Sequence, residues 1–244
     1  MGDYYDRETG RYIGKDDKRD NKLHVGEAEK AKIENGKVVS AEGFITFDTT
    51  HSQFQESAQI VKAEAQSSDF DEYLYIAHTG NNNAKERGTY LHTSLKRLST
   101  APEGSKGLLS TSDNTSSANF SRKAVFDVLL GNPDPTGGAT RWDGIDFLAW
   151  GLKSPNGTPH NKFEEYGSIT IGRDIYMDYA NAIRSKYPSG TVRYYDRRYE
   201  VPAEVFSTRW RLHAFIYKNT KEPDLPKLTA VAAKGYSIFW RVSK

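Results

Sequence analysis

The sequence predicts an α+β chain, helical in its middle and rich in strands toward its C-terminus. From about residue 52 to 130 the apolar residues recur at helical spacing between recognisable caps. The C-terminal end instead mixes β-branched and aromatic residues between turns. A chain of 244 residues with 36% hydrophobic and 12% aromatic content is long enough to bury a core in one large domain or two small ones.

In chain order, "YYDRETGRYIG" reads as a hairpin about Glu8–Gly10, and "GKVVSAEGFITFDTT" as two strands about Ala41–Gly43. Residues 1–50 form a strand-and-turn or adaptor segment on this reading, flexible over its first half. A helix is expected from about Ser52 to Ser67, where Ala58, Ile60, Val61 and Ala65 share a face. Asp69 with Glu72 three residues later is a capping box that starts a second helix, whose inward residues are Tyr73, Leu74, Ile76 and Ala77. A third covers Thr89–Leu98, and a fourth runs from an Asn119 cap to the Gly131 stop. Between them lies a long Ser/Gly-rich loop, functional or mobile. A further helix spans Asp174–Lys186, stopped by Pro188. "TVRYYDRRYEVP", "TRWRLHAFIYK" and "KLTAVAAKGYSIFWRV" are the closing strands.

Within the first helix Glu64 stands between Ala63 and Ala65, small neighbours that leave a carboxylate room and little company. It falls in the last turn, where the helix dipole is negative and the protonated form is favoured. A carboxylic acid that keeps its proton near neutral pH is what a general acid needs. A solvated surface glutamate is the plain alternative.

Composition excludes several chemistries. With no cysteine there is neither a disulfide scaffold nor a thiol nucleophile. The six histidines are scattered, without HExxH or a close pair, so no metal site is expected, and no cofactor. No GxSxG elbow is present. A net charge of +2 is too weak and too evenly spread to argue for nucleic acid. The mean hydropathy is −0.73, and no apolar run approaches a membrane span. The first residues lack a hydrophobic signal core, so delivery by a non-Sec route, or a trimmed piece of a longer chain, is expected. "NPDPTGGAT" is Gly-rich but lacks the GK[ST] ending of a phosphate loop, and reads as a tight turn in which Gly137 and Gly138 permit positive φ or close approach.

Taken in order, these stretches carry a resemblance. The fourth helix followed by "GNPDPTGGAT" resembles the signature of cell-wall hydrolases related to the spore-cortex-lytic enzyme (SleB-type), in the lysozyme-like superfamily. Upstream, "KAEAQSSDFDEYLYIAHTGNN" is similar to that family's acidic helix and the helix that follows it, with Asn82 at the family's spacing after the glutamate. "GYSIFW" resembles the closing strand, without its usual histidine. The likeness covers roughly residues 55–145 and the last strand. It implies a lysozyme-like helical core within a glycosidase domain over residues 51–244, enlarged by a β-rich insertion at about 146–225. It also implies cleavage of peptidoglycan glycan strands at the bacterial cell wall or periplasm, with Glu64 the catalytic acid.

One carboxylate suffices if the sugar's own hydroxyl attacks, as in lytic transglycosylases, and that reaction is favoured over muramidase hydrolysis. Hydrolysis would need a second carboxylate, about 5–5.5 Å away for retention or roughly 6.5–9.5 Å for inversion. Asp143, Asp146, Glu164 and Glu165 are available. Asn82, Gly138, Trp142, Asp143 and Tyr166 are the candidate substrate-binding residues, with Trp142, Trp150 and Tyr166 able to stack on sugars or to serve as core. "GATRWDGIDFLAWG" departs from the family, which leaves the substrate wall open. Two other classes compete: a non-catalytic glycan-binding or structural module of a phage tail or secretion machine, and a nuclease using "RYYDRRYE".

Overall fold

In the computed structural model, which describes residues 2–18, 20–150, 160–187, 191–194, 197–200 and 214–243, the compact units meet at Pro133 and Asp134 rather than near residue 50. The described residues are mixed α+β, and the reason for that boundary lies in the first strand. β1 (Asp3–Asp6) buries Tyr5 completely, and the Tyr5 ring packs edge-on against Phe54 and Phe126 of the helices that follow. Phe54 and Phe126 themselves stack at 5.0 Å. Residues 1–50 therefore share their core with the helical region and are no separate adaptor. Burial of three aromatic rings is worth several kcal/mol by area alone.

The first unit opens with β1 and β2 (Tyr12–Lys15), antiparallel about the expected turn. β3 (Lys22–Gly26) lies parallel to β1. β4 (Ala31–Glu34) and β5 (Lys37–Ala41) form a hairpin, and β6 (Ile45–Thr50) pairs with β3. The sheet order is β4-β5-β2-β1-β3-β6. The two strands flanking Ala41–Gly43 thus exist, yet each pairs with a different neighbour.

Four helices follow: α1 (His51–Glu64), α2 (Phe70–Arg87), α3 (Leu91–Leu98) and α4 (Ser116–Leu129). The Ala118 N–H is accepted by Thr115, which caps α4 in place of Asn119, the cap expected. Asn119 instead accepts from Arg122, a fully buried arginine that also donates to the Gly10 and Ser110 carbonyls.

The second unit holds β7 (Arg141–Asp143), α5 (Asp146–Trp150), α6 (Lys162–Glu165), β8 (Ser168–Gly172), α7 (Arg173–Lys186), β9 (Thr191–Tyr194), β10 (Arg197–Glu200), β11 (Ala214–Lys218), β12 (Lys227–Lys234) and β13 (Ser237–Ser243). Its five-stranded sheet has the order β11-β8-β12-β13-β7, with β8 and β12 parallel and the other pairs antiparallel. Ile169, Ile171, Tyr179, Ile183, Leu228, Ile238 and Trp240 are buried together as its core. β9 and β10 pair as a separate hairpin. The Trp150 side chain, the side chains of Arg193–Glu200 and Pro188 lie outside the described residues.

Candidate functional site

α1 starts where Thr50 accepts the Gln53 N–H and Gln53 accepts the Thr50 N–H in return. Its inner face carries Phe54, Ala58, Ile60 and Val61, all buried. Glu64 follows Ile60 by four residues and Val61 by three, so it stands at the rim of that face, half-buried. The helix ends there because Ala65 turns to extended backbone, φ −71° and ψ 126°. The carboxylate has company after all. Its Oε1 accepts the Ser99 hydroxyl and the Ala101 N–H, the latter at 3.1 Å. Both donors come from beyond α3, which is why local sequence did not show them.

Those donors open the Ser/Gly-rich loop, and the loop is pinned rather than loose. Gln59 donates to the Ser105 carbonyl, the Leu109 N–H reaches the Gln55 carbonyl, and Lys62 pairs with Asp113 at 2.5 Å. Leu109 is 1% exposed, a plug at the loop's middle. Lys62, together with the Thr115 hydroxyl, holds the Asp113 carboxyl down to about 2. The loop forms a strap along α1, and its first residues orient Glu64.

α2 places the next candidates. Asp69 caps it by accepting the Asp71 N–H, but Glu72 does not close the expected box. The buried Glu72 carboxylate accepts the Gln66 and Ser67 N–H groups instead, and holds the break between α1 and α2. Asn82 is half-buried on α2. Its neighbour Asn83 is fully buried and accepts from Ser94 and Arg97 of α3. Gly80 allows the approach, since a Cβ there would lie 2.4 Å from Leu95 Cδ2. Asn83 thus fixes α3, whose C-terminal cap, Ser99, touches Glu64. The spacing Ile76, Gly80, Asn83, Ala84 was the signal that pointed Asn83, not Asn82, inward.

Gly138, Trp142, Asp143 and Tyr166 belong to the second unit. The "DPTGGA" stretch is a self-bonded turn: Asp134 accepts from the Thr136 N–H and hydroxyl and from the Gly138 N–H, while Thr136 accepts from the Ala139 N–H. Gly137 and Gly138 have φ of 67° and 82°. Nothing lies within 4 Å of a Cβ built on Gly138, so left-handed backbone, not close approach, requires glycine there. Trp142 and Tyr166 are 9% and 7% exposed. Their rings are taken up by packing and do not present the stacking platforms expected of them.

Asp143 is likewise turned inward. Trp240 Nε1 donates to its Oδ2 at 2.7 Å across the β7–β13 pair, Lys162 Nζ lies 3.6 Å from Oδ1, and His160 Nε2 lies 3.9 Å away. Burial pushes the Asp143 carboxyl up to about 6, against the pull of Lys162 and His160. Lys162 is raised: burial is the largest single influence and works against its charge, but Asp143, Tyr166 and Glu165 together more than offset it. Asp146 accepts from His160 Nε2 at 3.2 Å. Ligand atoms of Asp143, Asp146 and His160 lie within 4.8 Å of one another, the spacing a metal ion could use. The proton positions fit a metal poorly. His160 Nδ1 accepts the Lys162 N–H, so in the neutral ring Nε2 carries its hydrogen toward Asp146. The Lys162 ammonium already supplies the positive charge, and the cluster reads as an internal ion network. No family model, characterised protein or solved structure matches the chain.

Proposed function

We propose that this chain cleaves the glycan strands of peptidoglycan at the bacterial cell wall, with Glu64 as both proton donor and proton acceptor. The observation that carries the reading is the Glu64 carboxylate itself. It sits half-buried at the break after α1, its Oε1 aimed by Ser99 and Ala101, in a chain whose ordered motifs resemble those of the lysozyme-like cell-wall hydrolases.

Ser99 and Ala101 orient the Glu64 carboxyl through Oε1, and the transferable proton is the carboxyl's own. That proton passes to the glycosidic oxygen as the bond to the anomeric carbon breaks and an oxocarbenium-like centre develops. The muramoyl C6 hydroxyl then attacks the same carbon, and its proton returns to the Glu64 carboxylate. Atoms balance without water, and the product carries a 1,6-anhydro end. This transglycosylase route uses one carboxylate, and two of the other candidates are already engaged, Asp143 by the Lys162 ammonium and Asp146 by His160 Nε2. The test is mass spectrometry of the products from purified peptidoglycan. Anhydro ends support the proposal, reducing ends point to a muramidase, and intact sacculi in the presence of folded protein overturn it.

A further inference from the structure

The first unit carries an exposed aromatic ring that the proposed cleavage does not use. Tyr90, immediately before α3, is 72% exposed, and its ring stacks at 5.8 Å and 19° on His92. Beside it opens a recess of about 40 Å³. Leu91, Val125 and Leu129 supply apolar lining, and Thr49, Gln53 and His92 supply polar groups. Gln53 spends its Oε1 on the Thr50 N–H, which turns the amide nitrogen into the donor that remains. The recess has room for one methyl-sized group and not for a sugar ring.

An apolar notch of methyl size, an amide donor at its edge and an exposed aromatic face beside it match the three features of an N-acetylated amino sugar. Its acetamido methyl fits the notch, its amide carbonyl meets the donor, and the apolar face of its ring covers Tyr90. The place is also right. α1 and α3 pack with the same polarity, since Gln53 and Leu91 line the recess while Glu64 meets Ser99. The eight residues of α3 span roughly 12 Å, so the recess lies about one short helix from the catalytic carboxylate. We infer that Tyr90 and this recess form a binding subsite for an N-acetylhexosamine of the glycan strand, a few rings from the bond that Glu64 cleaves. The inference rests on the proposed function for its substrate class.

Equilibrium binding to the full chain carrying Glu64→Gln tests it, with chitotetraose and its glucose counterpart cellotetraose as probes. Both are neutral, and only the first carries acetamido groups. Chitotetraose should bind at least about tenfold tighter than cellotetraose, as for a methyl seated in an apolar pocket. Adding Tyr90→Ala, at a position 72% exposed, should cost chitotetraose about tenfold, on the order of one stacked ring, with the melting temperature checked alongside. Equal affinity for the two sugars, or undiminished chitotetraose binding in the Tyr90→Ala variant, overturns the subsite. Cleavage by the wild type is scored separately. Active enzyme with Tyr90-independent binding removes the subsite and leaves Glu64 in place. Tyr90-dependent binding without any cleavage keeps the subsite and removes the catalytic assignment.

Discussion

Ser99 donates its hydroxyl to Glu64, a residue 35 positions earlier in the chain, and so ties the end of α3 to the end of α1. On the proposed mechanism the contact makes Ser99 a positioning residue. Ser99→Ala should lower kcat by about tenfold to a hundredfold, the cost of a misplaced reacting group, with KM little changed. Ser99→Thr, which keeps the hydroxyl, should recover most of it. A fall in stability that tracks activity in both variants would make the contact merely structural.

Glu64→Gln keeps the volume and the hydrogen bonds but removes the transferable proton. Cleavage of sacculi should drop by roughly 10²–10⁴, the range for a general acid, with the melting temperature close to wild type. Digestion at the wild-type rate would return Glu64 to the surface-residue reading.

The reaction type can be read from amide substitutions. Asp143→Asn, Asp146→Asn, Glu164→Gln and Glu165→Gln should each slow cleavage only modestly if Glu64 works alone. One variant as inactive as Glu64→Gln, together with reducing ends in the digest, would identify a second catalytic carboxylate and a hydrolytic mechanism.

Stability of the second unit should depend on pH through Asp143. Its carboxyl titrates near 6 when folded, above the ordinary value of about 3.9, so the folded state holds the proton that the unfolded state releases. Asp143's contribution to stability is therefore fully present below about pH 4 and is lost as pH rises through 6, by at most about 3 kcal/mol for a two-unit shift. Denaturant unfolding at a series of pH values should show that slope in the wild type, and Asp143→Asn should flatten it. An unchanged slope in the variant would mean that another group titrates there.

Two local features offer stability tests. Gly138→Val forces a β-branched residue to φ 82° and should cost about 1–2 kcal/mol, whereas Gly138→Asn should be nearly neutral. Arg122→Met removes the donor to the Gly10 and Ser110 carbonyls and should cost about 2–4 kcal/mol. Chemical denaturation measures both, and a neutral methionine variant would show that water takes over those acceptors.

The elements of this protein were legible where their causes are local. The apolar spacing of Ala58, Ile60 and Val61 is enough to reveal α1, and the turn residues of "DPTGGA" allow positive φ or close approach at Gly137 and Gly138, of which the structure has positive φ, because capping and backbone sterics act over a few residues. The fourth helix is legible in the sequence but its cap is not, since Thr115 and Asn119 are both good caps and only backbone geometry chooses between them. Tertiary structure decided what long loops bring together. The parallel pairing of β1 with β3, the burial of Tyr5 against Phe54 and Phe126, and the Trp240–Asp143 bond join residues whose separation carries no pattern. The same holds at the candidate site. Sequence by itself singled out Glu64 as a carboxylate at a helix end, while its orientation came from Ser99 and Ala101, and those were placed by the buried Asn83 and the pinned strap. A side chain's partners are set by the packing of whole elements, and one-dimensional periodicity records only which face of each element is apolar.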